Sequence, residues 1–271
     1  MQNVAAQLAT RPQPTVRLKP IALPSEHGGW GMLGAPILLG LLVAPSWPGL
    51  FLGLAALAAF LTRQPFRLAI MDLRKGKRYP RTAWALRFAI GYGLVGLLAL
   101  AEAAIQARAT FWLPLGAAAL LGGIQFAHDI QGKGRSFVPE ACGAASLASV
   151  ATAIAIAGGF LASRSWLLAA ALALQAATAI SYAAARVRLA RGVEIALWPV
   201  WAGSVAALAT ITAITSFAGL AWPATAAFAV LAARSAWGLS SCRMNVRAAI
   251  VGLQEVGYTL MTVVAIYLSV R

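Results

Sequence analysis

The chain has 271 residues, 61% of them hydrophobic and 11% charged, with a mean hydropathy of +0.77. Soluble domains run at about 45–50% apolar and about 25% charged residues, so this composition excludes a soluble enzyme and a disordered chain. It also excludes a soluble nucleic-acid binder, despite a formal net charge of +15.

Residues 1–25 are polar and punctuated by Arg11-Pro12, Gln13-Pro14 and Lys19-Pro20, with no apolar h-region. They read as a cytoplasmic tail, not a cleaved signal peptide. From residue 26 to 271 the chain reads as one membrane domain. A spanning helix needs about 20 mostly apolar residues, and nine such stretches follow in order: 28–44, 48–70, 83–106, 111–128, 138–161, 166–185, 193–217, 220–239 and 247–270. They are continuously apolar and rich in Ala and Leu, without period-2 alternation, which predicts an all-α bundle and not a barrel. A Gly49-x-x-x-Gly53 pair in the second stretch predicts close helix approach. Cys142 and Cys242 are too few for a disulfide framework and lack metal-ligand spacing.

With nine spans, every basic residue of the 22 except Arg108, Arg164 and Arg271 falls on the side of the N-terminal tail. Basic residues collect in cytoplasmic loops for insertion reasons alone. The bias therefore predicts a cytoplasmic N-terminus in a cytoplasmic membrane, with any chemistry at that face.

Ionisable groups in or beside spans usually face a bundle interior or an aqueous cavity, so the seven acids are the informative residues. Glu26 and His27 stand in Ser25-Glu26-His27-Gly28-Gly29-Trp30, which is either a polar constellation or a helix start capped by Ser25. Asp72 lies among Arg67, Arg74, Lys75, Lys77, Arg78 and Arg81. It is either a solvated acid in a positive loop or part of an anion cradle in which it orients an arginine or holds a metal. His128-Asp129 closes the fourth stretch and Glu140 opens the fifth, across a loop carrying Lys133 and Arg135. These acids either coordinate a divalent cation, with Asp72 and Asp129 as the candidate ligands, or serve as end caps and local ion pairs. Tyr182 and Arg186 are one helical turn apart, as are Glu194 and Trp198. Arg234 lies inside the eighth stretch, where it can snorkel outward. Glu255 is the deepest acid, with Arg234 or Arg247 as candidate partners; Arg243 precedes it. No P-loop, nucleophile elbow, HExxH or dinucleotide fingerprint is present.

The Ser25–Trp30 segment resembles the His-Gly-Ala-Trp motif of the YwiC-like bacterial membrane proteins, with Gly29 where alanine is usual. The whole layout is similar to the UbiA superfamily of membrane prenyltransferases. That resemblance implies nine helices around a cavity, with two Asp-rich motifs, after the second and sixth helices, holding magnesium and a prenyl diphosphate. Aligning the last aspartate of the first motif with Asp72 places Gln64, Pro65 and Leu68 where the family has Asn, Asp and Asp. The second region, residues 181–188, has no aspartate and carries Arg186 and Arg188. Arginines keep affinity for phosphate while removing the carboxylates that magnesium needs.

The expectation is a UbiA-like nine-helix bundle that binds, and if catalytic transfers, a phosphate-bearing isoprenoid lipid. Arg67, Arg78, Arg81, His128, Arg135, Tyr182, Arg186, Arg243 and Glu255 would contact the substrate. Asp72, Glu26 and His27 would orient or coordinate, and magnesium would require a site rebuilt from acids such as Asp72, Asp129, Glu26 and Glu194. The alternative is a non-catalytic transporter or docking protein that uses the basic face.

Overall fold

The computed structural model describes residues 17–24, 27–77, 79–107, 109–134, 136–240 and 248–271, with backbone only at His27, Ala248 and Ala249. Glu26, Arg78, Arg135, Arg243 and Arg247 lie outside the described residues, and of His27 only the helical backbone is described.

The described chain is all-helical. After one turn at Lys19–Ala22 come α1 (His27–Val43), α2 (Trp47–Arg74), α3 (Pro80–Gln106), α4 (Trp112–Ile130), α5 (Phe137–Ala157), α6 (Ala162–Ala190), α7 (Trp198–Phe217), α8 (Pro223–Gly238) and α9 (Ala248–Val270). Six of these, α2, α3, α5, α6, α7 and α9, are long and apolar enough to cross a membrane. The chain is thus a multi-pass, membrane-type helical protein. The other three predicted spans form helices that fall short of that length and composition. With 17 and 16 residues, α1 and α8 rise about 25 Å, against a hydrocarbon core of about 30 Å. In α4, Gln125, His128 and Asp129 dilute the apolar run.

Local chemistry explains the breaks. Ser46 caps α2 by accepting the Gly49 N–H at 3.1 Å, with Pro48 in the first turn. Pro80 starts α3. Gly76, Gly132, Gly159, Gly192 and Gly219 all have positive φ and sit in the connections after α2, α4, α5, α6 and α7, where helices end by a left-handed residue.

Helix α5 is the axis of the bundle. From Val150 to Ala157 every residue is buried, and α5 packs on α1, α2, α4 and α6. One apolar cluster joins Leu39, Ala151, Leu168, Ile211, Phe228 and Val263 across α1, α5, α6, α7, α8 and α9. A second joins Leu52, Ala103, Phe111 and Ile154 on the side of α2 and α3. The Gly49–Gly53 pair lets α2 approach closely. A Cβ on Gly53 would stand 2.9 Å from Ile37 of α1, and one on Gly49 would stand 3.0 Å from Ile154 of α5. The Cβ that alanine would add at Gly29 would stand 3.0 Å from Phe60, whose ring meets Trp30 edge-on at 5.5 Å.

All nine tryptophans are exposed, and all stand at helix ends. Trp47, Trp112, Trp166 and Trp222 mark the starts of α2, α4, α6 and α8, while Trp30, Trp84, Trp198, Trp201 and Trp237 mark the opposite, arginine-rich end. Two such rings are the interfacial belts of a membrane protein.

Candidate functional site

Among the described residues, charged side chains form three separate ion pairs. The first closes the α2–α3 hairpin. Asp72 is 1% exposed at the end of α2. Arg81 donates to it twice, from Nη2 to Oδ1 at 2.7 Å and from Nε to Oδ2 at 3.1 Å. Thr82 donates its hydroxyl to Oδ2 at 2.9 Å while accepting the Tyr79 N–H at 3.1 Å. A carboxylate is unfavourable at a helix C-terminus and favourable at an N-terminus. Asp72 answers both, since its side chain reaches the first turn of α3. Arg81 remains half exposed, 5.1 Å from the Tyr79 ring.

The second pair joins α2 to α4. Arg63 donates from Nε to Asp129 Oδ2 at 2.7 Å, with Nη2 2.6 Å from the same oxygen. Gly134 closes over the other oxygen so tightly that a Cβ there would collide with Oδ1. Phe66 and Phe126 stack beside this pair with centroids 5.4 Å apart. Arg67, one turn on from Arg63, has a buried Nε with no hydrogen-bond partner. His128 spends its Nδ1 on the Ile124 carbonyl at 2.9 Å.

The third pair is deeper, between α8 and α9. Arg234 Nη1 donates to both oxygens of Glu255, at 2.7 and 2.5 Å. The rings of Tyr182 and Tyr258 lie 4.3 and 5.1 Å from the guanidinium carbon. Arg234 therefore does not snorkel outward; it turns inward, because an acid and two aromatic faces meet it there. Arg186 is buried one turn beyond Tyr182, and Glu194 is exposed in the link before α7.

Among the described residues the three acids do not share one site. Asp72, Asp129 and Glu255 each lock onto a different arginine. Arg63 and Asp72 are nine residues apart on α2, a rise of about 13 Å. Among the described residues no group of three or more His, Cys, Asp or Glu is placed to hold a metal. Magnesium needs near-octahedral oxygen ligands at about 2.1 Å; with Asp72 and Asp129 engaged apart, the described donors do not fit that ion. A cavity of about 330 Å³ lies at the far end of the bundle, lined by Leu41, Val43, Pro45, Phe160 and Tyr267.

Several contributors were not singled out from sequence: Thr82, Arg63 as an acid's partner, Gly134 and Tyr258. The signal for Thr82 was its place at the third position of a helix opened by Pro80. For Tyr258 it was its position three residues after Glu255, on nearly the same face.

Residues 23–155 match the model of the YwiC-like protein family. Over that stretch, just under half of its length, the chain is similar to the YwiC-like proteins. No curated protein and no solved structure matches it. The YwiC-like segment runs from just before α1 almost to the end of α5 and contains both the Asp72–Arg81 and the Arg63–Asp129 pairs. The Arg234–Glu255 pair lies beyond it.

Proposed function

We propose that this membrane protein binds a phosphate-bearing amphiphile, with isoprenoid phosphates the first class to test, at the rim formed by α2, α3 and α4. The supporting observation is the presentation of Arg81: its carboxylate partner is buried, its orientation is fixed by two hydrogen bonds, and half of its side chain stays open. A guanidinium held this way offers its remaining N–H groups in a set direction, the geometry that suits phosphate oxygens. Arg63 and Arg67 extend the positive rim along α2, and the exposed apolar face of α3, with Ile90, Leu94, Leu97 and Leu98, would lie against hydrocarbon.

The UbiA-like arrangement, the inner-membrane location and a cytoplasmic basic end are parts of the same reading. The charge bias and the tryptophan belts support the membrane placement and its sidedness, and the helix order supports the likeness of layout. Binding is the activity the arginines favour. If transfer accompanies it, the positive charge that neutralises a departing diphosphate falls to arginine and not to a carboxylate-bound metal.

The test is native mass spectrometry of the purified protein for a co-isolated phosphate lipid, followed by titration with an isoprenoid diphosphate. Binding without magnesium, weakened about tenfold by Arg81→Lys, is expected, because lysine keeps the charge and loses the fork. Magnesium-dependent binding abolished by Asp72→Ala would replace the arginine cradle with a rebuilt metal site. Silent Arg-to-Lys exchanges at residues 63, 67 and 81 would reduce the basic end to a lipid-docking surface.

A further inference from the structure

The buried pair on α8 and α9 contains a feature that pairing with Glu255 does not explain. The Arg234 side chain is 4% exposed. Glu255 occupies Nη1 alone. The other edge of the guanidinium, Nε and Nη2, is buried and has no hydrogen-bond partner. Tyr182 and Tyr258 lie close to the cation. A ring face attracts the charge but accepts no in-plane hydrogen bond. Buried donors are nearly always satisfied, and an exception calls for an unseen water, ion or function. Inside a membrane bundle such a residue marks a binding site by default.

We infer that the Nε–Nη2 edge of Arg234 is an occluded binding site for an oxyanion, a phosphate ester or a carboxylate that offers it two oxygens. That edge carries two parallel N–H groups, the fork that meets carboxylate and phosphate bidentately. A single carbonyl oxygen matches the fork less well. Arg186 adds positive charge close to the Tyr182 hydroxyl. That hydroxyl is wedged where a Cβ on Gly238 would meet it, so the Tyr182 ring is fixed against α8. Because both nitrogens are sealed from solvent, a ligand arrives by displacing a neighbouring side chain. The site shares no residue with the α2–α4 rim and does not depend on the reading of that rim.

The experiment uses the full chain, titrated in detergent with inorganic phosphate and with acetate, and in nanodiscs with phosphatidate. Stabilisation against thermal unfolding reports affinity. Saturable stabilisation by at least one probe is expected, weakened tenfold or more in Arg234→Lys and unchanged in Arg164→Lys, a substitution at an exposed arginine remote from both sites. Glu255→Gln keeps the side chain's size and removes the competing charge, so it should tighten the same probe several-fold. Stabilisation by phosphate or acetate marks a soluble ligand, and by phosphatidate alone a lipid headgroup. No stabilisation by any probe would overturn the proposal, leaving a water on the fork. So would weakening by Glu255→Gln, the mark of a purely structural pair, or stabilisation undiminished in Arg234→Lys, which would place the binding elsewhere.

Discussion

Thr82 uses one hydroxyl twice, accepting the Tyr79 N–H and donating to Asp72. Thr82→Val keeps the shape and deletes both bonds, leaving a buried carboxylate oxygen short of one donor. A loss of about 1–3 kcal/mol follows, read as a lower unfolding midpoint in detergent, with Thr82→Ser close to the parent. The Arg63–Asp129 pair allows a sharper test. Arg63→Ala strands a carboxylate that is 3% exposed, and breaking a buried pair from one side costs more than deleting it. The double variant Arg63→Ala with Asp129→Ala should therefore be more stable than Arg63→Ala alone. Equal stabilities would mean that solvent already screens the pair. Residue pairings of this kind were the least legible in the sequence. Asp72 was singled out as an acid among cations, but charge order along the chain could not say which of six neighbouring bases it would take. Arg234 is one of the two partners the sequence offers Glu255, and that pair forms; the outward snorkel does not, because the acid and the rings that hold Arg234 come from other helices.

At the scale of the helices, apolar run length and Pro/Gly breaks were sufficient to place most ends. Helix α3 ends at Gln106 as expected, and α1 runs over His27–Val43 against an expected 28–44. The largest shifts are at α6, which begins four residues before the expected span and continues five beyond Ala185, and at α7, which starts at Trp198 and not residue 193. Arg186 and Arg188 predict the end of a span, but a helix can continue into water once its apolar part is complete. The glycines separate two roles. A Cβ at Gly40 would stand 2.7 Å from Ile154, and one at Gly158 would stand 2.7 Å from Ala44, whereas Gly34 and Gly203 face open space. Gly40→Ala should destabilise by about 1–3 kcal/mol through overpacking. Gly34→Ala and Gly203→Ala should be neutral or stabilising by up to about 1 kcal/mol through helix propensity. Thermal melts of the three variants check this ordering.

For the whole molecule, the two tryptophan rings and the one-sided arginines define an axis. Cysteines introduced at exposed positions at one end, such as Lys75 and Arg191, should share the same sidedness in intact vesicles. Cysteines at Ser163 and Ala221 should show the opposite sidedness, as read with an impermeant thiol reagent. A mixed pattern within either set would break the alternation of the helices and with it the shared rim of α2, α3 and α4. The two helices that fall short of membrane length have a bearing here. Short α1 and α8 pack against longer neighbours, so they can sit at a slightly different depth without exposing their ends to lipid.

Helix α5 limits how this assembly can move. Its middle is lined with Ala, Ser, Thr, Val and Ile side chains, all buried, and four other helices lean on it. Sliding or turning that central post would disturb every seam at once. Displacement is cheaper at the periphery, where α3 is held by α2 and, at one end, by the Lys19–Ala22 turn. Any breathing of the bundle should begin at its rim and leave its spine still.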